Sequence, residues 1–148
     1  MAEPLLSYLH YLSIILTGGF LIGELAMCRP EITPEQRRRL PGIDVVFFVA
    51  ALLALATGLL RLFFYSKGVD FYVRNPFFWV KMALYVIIAT LSIKPTLTFI
   101  RWKRSIAGGG TAPTGDEIAG ARRFIHIELG LLALIPLMAV LMARGIGR

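Results

Sequence analysis

The chain has 148 residues, 57% of them hydrophobic, and a mean hydropathy of +0.71. This composition is too apolar for a soluble domain, and it predicts a protein whose solvent is a lipid bilayer. The formal net charge is +7. The basic residues flank apolar stretches and are not interleaved with exposed aromatic residues, a distribution that argues against nucleic-acid binding.

Four apolar stretches occupy most of the chain, at residues 5–28, 43–65, 77–100 and 124–143. Each is close to the ~20 residues that an α-helix needs to cross the hydrocarbon core. The first stretch lacks a preceding basic segment and is too long for a signal peptide, so we predict a retained helix. Because little chain remains for loops, we predict an all-α fold, a four-helix bundle in one transmembrane domain over residues 1–148.

The connections between these stretches are short. Residues 29–42 are bounded by prolines and are predicted to form a loop, and the glycines from Gly108 to Gly115 predict a flexible loop. Cys28 is the only cysteine, so it cannot form an internal disulfide, and we interpret it as a small packing residue.

The basic residues predict the topology. The first and third connections hold Arg29, Arg37, Arg38 and Arg39, and Arg101, Lys103, Arg104, Arg122 and Arg123. The second connection and the C-terminus hold only Lys67, Arg74, Arg144 and Arg148. The positive-inside rule therefore predicts a multi-pass protein of the bacterial inner membrane with both termini in the periplasm.

An outer polar layer is predicted from His10, Arg61 and Lys81, with Arg74 and Arg144 as further candidates. The spans contribute no carboxylate at this depth, and cations gathered without acids repel one another and lose hydration. The layer therefore predicts a bound anion, or an anionic cofactor carried by an apolar body. The alternative is that Arg61 and Lys81 extend their charged ends to lipid phosphates.

A haem is one cofactor of this kind. A neutral imidazole that projects into an apolar bundle can be an axial haem ligand, and nearby cations can hold the propionates. We therefore predict haem b, with His10 as the metal ligand and Arg61, Arg74 and Lys81 as further cofactor-binding residues. His126 is not expected on the same iron, because the topology places it in the opposite leaflet. A lone histidine at this position is, however, more often simply a hydrogen-bonded helix residue.

An inner polar layer is predicted from Glu24, Asp44 and Glu128, with His126 and several arginines nearby. Ion pairing between these acids and bases is a sufficient structural explanation. The functional alternative is a proton path in which the carboxylates and His126 exchange protons with the cytoplasm. His126 and Glu128 are two residues apart, so only one of them can face the centre of the bundle.

Helical spacing places these residues on shared faces. His10, Thr17 and Glu24 recur every seven residues on the first helix. On the third helix a comparable stripe is formed by Lys81, Tyr85, Ser92 and Thr96, whereas Lys94 lies off it. We expect the two stripes to face each other inside the bundle.

Several short motifs resemble a known family. They are His10, Glu24-Leu25-Ala26, Gly58-Leu59-Leu60-Arg61, Lys67-Gly68, Asn75, Lys81, Leu91 to Thr96 and the closing Met142 to Gly147. Together they resemble the bacterial four-helix membrane proteins of domain of unknown function family 2214. The resemblance covers nearly the whole chain and implies a fold without implying an activity.

A more remote resemblance rests on His10 in the first helix and Trp79-Val80-Lys81 in the third. This order is similar to that of the HemJ-type membrane protoporphyrinogen oxidases. It implies a haem bound through the histidine of the first helix, with the lysine of the third helix essential nearby. Where that family has a histidine between the tryptophan and the lysine, this chain has Val80.

From these features we predict a haem-binding membrane redox protein that acts on a porphyrin or quinone-like substrate. The candidate catalytic residues are Lys81, Arg61, Glu24 and Asp44. The alternatives are a proton or small-anion transporter or channel, and an accessory subunit of a membrane complex. We also expect contact with membrane lipids and self-association into a homo-oligomer, because polar groups lie on two sides of the last span. The sequence contains no recognised enzyme motif that would decide between these functions.

Overall fold

The computed structural model describes residues 1–65 and 67–147, and within them all regular structure is helical. The helices are α1 (Ala2–Met27), α2 (Pro34–Phe64), α3 (Val69–Val73), α4 (Pro76–Ala107) and α5 (Gly115–Ala143). The helices other than α3 are long and apolar enough to cross a membrane, which confirms the predicted all-α membrane fold. Arg148, which entered the topology prediction, lies outside the described residues.

The four long helices form two hairpins. α1 packs along α2, and α4 packs along α5, while the contacts of α2 with α4 and of α1 with α5 are less extensive. Because each long helix follows the previous one through a short connection, neighbouring helices alternate in direction. We call the end with the two termini the outer end, and the end with the α1–α2 and α4–α5 connections the inner end.

Most apolar side chains face away from the bundle. In the apolar windows of the four spans, only 11–22% of the residues are buried inside the protein. Exposed apolar surface on this scale is stable only where lipid covers it. The buried apolar core is concentrated towards the inner end, around Leu40, Phe47, Phe99 and Ile125.

Two helices extend well beyond a bilayer core. α2 has 31 residues and α4 has 32 residues, which correspond to about 45–50 Å, against about 30 Å of hydrocarbon. The connection predicted over residues 29–42 is shorter in the structure, because α2 already begins at Pro34. Thr33 and Gln36 form a reciprocal capping box, and proline is favoured at the first helical position.

The inner end is closed by an arginine of α5. One guanidinium nitrogen of Arg122, Nη1, donates to the carbonyls of Leu25 and Cys28 at 3.1 and 2.8 Å. Carbonyls at the end of a helix lack partners within it, and a positive charge there also complements the helix dipole. Arg122 therefore links the last turn of α1 to α5. Cys28 is fully buried beside it, as predicted for a packing residue.

The outer end is closed by a buried asparagine. The side-chain oxygen of Asn75 accepts from the Phe77 amide at 2.9 Å, and its Nδ2 donates to the Ile146 carbonyl at 3.1 Å. Asn75 thus caps α4 and holds the C-terminal segment against it. The short helix α3 precedes this cap and was not predicted, because five residues are too few to show a helical period.

Replacement of Arg122 by Met should expose Cys28 to thiol reagents. A hydrogen bond to a charged group contributes about 1.5–3 kcal/mol, so local opening at the end of α1 should become at least about tenfold more frequent. The measurement is the rate of maleimide labelling in detergent. Arg123→Met, which alters an exposed neighbour, is the control and should leave the rate unchanged. Equal rates in the two variants would contradict the proposed role of Arg122.

Candidate functional site

The predicted site residues of the spans form two groups at different depths. The outer layer consists of His10, Arg61 and Lys81, and the inner layer consists of Glu24, Asp44 and Glu128. His10 and Glu24 lie about 21 Å apart along α1, at ~1.5 Å per residue. Between the layers, the buried residues of α1, α2 and α4 include the apolar Leu21, Ala50 and Ile88.

The polar face of α1 turns inward. Ser13, Thr17 and Glu24 are buried, and His10 on the same face is half-buried, which confirms the predicted face. The hydroxyls of Ser13 and Thr17 donate to the carbonyls of Leu9 and Ser13, at 2.6 and 2.7 Å. These two hydroxyls are therefore satisfied within their own helix.

A hydrogen bond to α2 orients the imidazole of His10. Its Nδ1 lies 2.9 Å from the hydroxyl of Thr57, and that hydroxyl lies 2.6 Å from the carbonyl of Leu53. A hydroxyl has a single proton to give. When Thr57 donates to the carbonyl, Nδ1 of His10 must be the donor to Thr57, and Nε2 keeps its lone pair. This tautomer can accept a proton or bind a metal through Nε2.

A glycine makes room for the imidazole. A methyl group at Gly58 would lie 2.9 Å from Cε1 of His10, closer than carbon atoms can approach without displacement. The α1–α2 contact at this level therefore depends on Gly58. The sequence drew attention to Gly58 only through the Gly58-Leu59-Leu60-Arg61 motif, and Thr57 was not predicted, although its position one residue earlier in α2 was the available signal.

The outer cations converge on His10. Arg61 and Lys81 are half-buried and close enough for their charges to act on the imidazole and on each other. The guanidinium of Arg61 also lies over the ring of Tyr11, 5.6 Å from its centroid. In residues 1–65 and 67–147, neither cation forms a salt bridge with a carboxylate. The three spans thus bring the predicted outer residues together.

Two further candidates lie elsewhere. Arg74 and Arg144 are exposed at the ends of α3 and α5. Neither is among the groups whose charge acts on His10 or Lys81. The structure therefore does not place Arg74 with the other predicted cofactor-binding residues.

The inner layer is almost completely enclosed. Glu24, Asp44 and Glu128 are 1%, 3% and 1% exposed. The ion pairing predicted here is wrong, because the salt bridges found in the described part of the chain are Arg39–Glu35 and Arg101–Glu117, both on the surface.

Hydroxyl groups of α4 contact two of the inner acids. The hydroxyl of Thr96 lies 2.6 Å from Oδ2 of Asp44, and that of Ser92 lies 2.5 Å from Oε1 of Glu128. Each hydroxyl also lies within 2.8 Å of a backbone carbonyl one turn earlier. Because each hydroxyl has one proton, either it donates to an ionised carboxylate, or it donates to the backbone and accepts from a protonated carboxyl. Both states use the same heavy-atom positions.

The third acid, Glu24, faces Asp44. Their side chains are placed to hydrogen-bond to each other, which requires a proton on one of the two carboxyl groups. Oε1 of Glu24 is buried without a hydrogen-bond partner. Asp44 and Glu128 also act on Glu24 through their charges. The inner layer is therefore a set of carboxyl groups that lie close enough to influence one another's charge.

Glu128 and His126 lie on different sides of α5. Glu128 is buried in the inner layer, and His126 is exposed, so only one of the pair faces the centre, as predicted. His126 is not part of the inner layer, and the structure gives no support to its predicted place in a proton path.

One known protein family matches nearly the whole chain. A family model described as a predicted membrane protein, DUF2214, matches residues 2–147. The chain belongs to this family. The description gives membrane location and no activity. No curated protein and no solved structure matches the chain, and the resemblance to HemJ-type oxidases stays a prediction.

Replacement of Gly58 by Ala should destabilise the protein through its contact with His10. Overpacking of this kind costs about 1–3 kcal/mol, and the imidazole must move away from Thr57. Gly19→Ala is the matched control, because a methyl group there would meet no atom within 4 Å. Thermal unfolding in detergent should show a lower Tm for Gly58→Ala alone. An equal Tm for the two variants would show that the α1–α2 contact is looser than described.

Proposed function

We propose that the protein binds and releases protons at the inner layer, and that this exchange drives proton-coupled transport across the membrane. The observation that carries the proposal is the burial of three carboxyl groups with no cation paired to them among the described residues. Ionisable groups in a membrane-spanning bundle are expensive to bury, and they commonly mark ion or proton pathways.

Hydroxyl contacts give two of the acids a partner that adapts to either protonation state. Ser92 and Thr96 are one turn apart on α4, and their hydroxyls, which can either donate or accept, contact Glu128 and Asp44 respectively. Asp44 in turn faces Glu24. Glu128 and Asp44 can therefore each gain or lose a proton without displacement of their hydroxyl partners.

Loss of the proton should change the conformation. A buried carboxylate without a counter-cation is strongly destabilising unless water or a cation reaches it. Deprotonation therefore favours a bundle that opens the inner layer to water, and protonation favours the closed arrangement. This dependence couples proton exchange to movement of the helices.

The apolar residues between the layers separate the two polar regions. The buried residues between the inner and outer layers include the apolar Leu21, Ala50 and Ile88 as well as Ser13 and Thr17, whose hydroxyls are satisfied within α1, and packed regions of this kind exclude water and ions. A separation of this kind prevents an uncoupled proton leak. The cations Arg61 and Lys81 on its far side supply the complementary charge for a small anion carried with the proton.

We also propose in which membrane the protein lies and how it is oriented there. The concentration of arginine and lysine at the inner end supports a cytoplasmic position for that end in a bacterial inner membrane, with both termini in the periplasm. The inner layer then exchanges protons with the cytoplasm. A single four-helix bundle encloses little space, so we propose that it works as a homo-oligomer.

Proton flux into liposomes tests the function. With a pH-sensitive dye inside and a pH gradient imposed, liposomes that contain the protein should acidify faster than empty liposomes. Asp44→Asn should lower the rate about tenfold or more, because the substitution removes a group that must gain and lose the proton in every cycle. Glu35→Gln, which alters an exposed acid on the same helix, should retain the flux. A range of co-supplied small anions must be included, because strict coupling suppresses flux without the partner substrate.

A flux that is equal for Asp44→Asn and the unaltered protein would overturn the proposal. Unfolding of the variant is checked by its elution as a monodisperse species, and Glu24→Gln supplies an independent substitution in the same layer.

Haem binding at the outer layer is the second candidate function. The observation in its favour is the Thr57 contact: when the Thr57 hydroxyl donates to the Leu53 carbonyl, Nε2 of His10 keeps its lone pair and can be a ligand. Arg61 and Lys81 would hold the propionates, and the haem would supply one-electron redox chemistry when bound. The outer layer then serves a redox protein with a porphyrin or quinone-like substrate, and the inner layer supplies its protons.

An absorption spectrum of the purified protein tests this candidate. Bound haem should give a Soret band, either as isolated or after haem is added, and His10→Ala should lose most of it through loss of the axial ligand. His126→Ala, which alters an exposed histidine, should retain the band. Absence of the band in the unaltered protein after haem addition would reject haem as the cofactor.

A further inference from the structure

A cleft lies between α4 and α5 near the inner end, away from both polar layers. Its volume is about 290 Å³, and its lining includes Lys94, Thr98 and Arg101 of α4. From α5 it includes Asp116, Glu117 and Gly120. A second hollow of about 230 Å³, beside the α4–α5 loop, shares Arg101 and Glu117 with it.

Small residues leave this cleft open. Gly120 and Ala121 contribute little side-chain volume to its α5 wall, and Pro95 lies in its α4 wall. A methyl group at Gly120 would meet no atom within 4 Å. A larger side chain at this position would therefore occupy the cleft without displacing the backbone.

The cleft lies at the depth of lipid headgroups. The apolar stretch of α4 ends at Ile100, and Arg101-Trp102-Lys103-Arg104 follows, a change typical of the membrane interface. Lys94 is exposed on α4, with its Nζ over the ring of Phe124 at 4.8 Å from the centroid. A lysine placed in this way keeps its stem against apolar surface and its ammonium at the polar boundary.

Both signs of charge line the cleft. Lys94 and Arg101 supply cations, and Asp116 and Glu117 supply anions. Glu117 accepts from Nε1 of Trp102 at 2.9 Å and lies 3.6 Å from Arg101. Asp116 is exposed, and it forms no salt bridge within the part of the chain that the structure describes. A purely anionic ligand would meet two carboxylates here, whereas a ligand with both charges is complementary.

We propose that this cleft binds the headgroup of phosphatidylethanolamine from the adjoining leaflet. The phosphate lies between Lys94 and Arg101, where charge-assisted hydrogen bonds favour it. The primary ammonium donates to Asp116 and to the free oxygen of Glu117. The quaternary ammonium of phosphatidylcholine has no N–H to donate, so the cleft distinguishes the two zwitterionic lipids. This inference is independent of the proposed transport and haem functions.

Native mass spectrometry of the detergent-solubilised protein tests the proposal, with phosphatidylethanolamine, phosphatidylcholine and phosphatidylglycerol supplied in turn. Phosphatidylethanolamine adducts should survive to higher collision energy than the other two. Arg101→Gln should reduce the adduct fraction about tenfold, as expected for loss of one charge-assisted contact. Lys103→Gln, which removes an exposed cation of α4 that does not line the cleft, is the matched control and should retain the adducts.

Two further variants separate the contributions of shape and charge. Gly120→Leu should displace the lipid by filling the cleft, and Asp116→Asn should remove the preference for phosphatidylethanolamine over phosphatidylcholine. Soluble glycerophosphoethanolamine should not compete, because it lacks the acyl chains that hold a lipid at this depth.

Three results would overturn the proposal. Equal retention of phosphatidylglycerol would show a general basic surface, and displacement by the soluble headgroup would show a site for a free phosphate ester. Unchanged adducts in both Arg101→Gln and Gly120→Leu would place the lipid elsewhere on the protein.

Discussion

The burial of three carboxyl groups without a paired cation is the constraint on which the centre of this protein depends. An ionised acid in that position would have neither water nor a counter-charge. The bundle meets the constraint with hydroxyls on α4 and with a carboxyl–carboxyl contact between α1 and α2. These partners tolerate a proton on either side of each hydrogen bond. An arginine in their place would fix the acids in the ionised state, whereas these partners, the only ones found among the described residues, are compatible with the proposed proton exchange.

The sequence was sufficient to predict the four spans and the inward faces, because both follow from elementary geometry. The span length depends on the thickness of the bilayer, and the recurrence of His10, Thr17 and Glu24 follows from the helical period. The start of α2 was harder to predict, because it depends on local capping interactions. The hydropathy of the chain changes at residue 43, but the capping box at Thr33 starts α2 earlier, in a segment that is too polar to be counted as part of a span. Hydropathy therefore predicted where the helix is apolar, and it did not predict where the helix begins.

The partners of the polar residues could not be predicted, because they depend on side-chain direction across helices. Arg122 lies within two turns of Glu128 on the same helix, and ion pairing was the simplest expectation. Its guanidinium instead satisfies the terminal carbonyls of α1, which are also electron-rich and have no other partner in their helix. With Arg122 engaged in this way, the inner acids take hydroxyl partners. In the outer layer, the Thr57 hydroxyl was equally hidden from sequence reasoning, although it is the hydrogen-bond partner of Nδ1 of His10.

Asp44 lies where a change in its protonation would affect the packing of the two hairpins against each other. Contacts within each hairpin are more extensive than contacts between the hairpins, so relative movement of the two hairpins is the least restrained motion of the fold. The hydrogen bond of Asp44 with Thr96 crosses between the hairpins, from α2 to α4. The bond from Tyr85 to the Ala51 carbonyl also crosses there, but it contains no carboxyl group and has no ionised counterpart at neutral pH. The His10–Thr57 bond lies within one hairpin. A change in the protonation of Asp44 would therefore act at the weaker interface of the protein, whereas the His10–Thr57 bond acts within a hairpin that is already tightly packed.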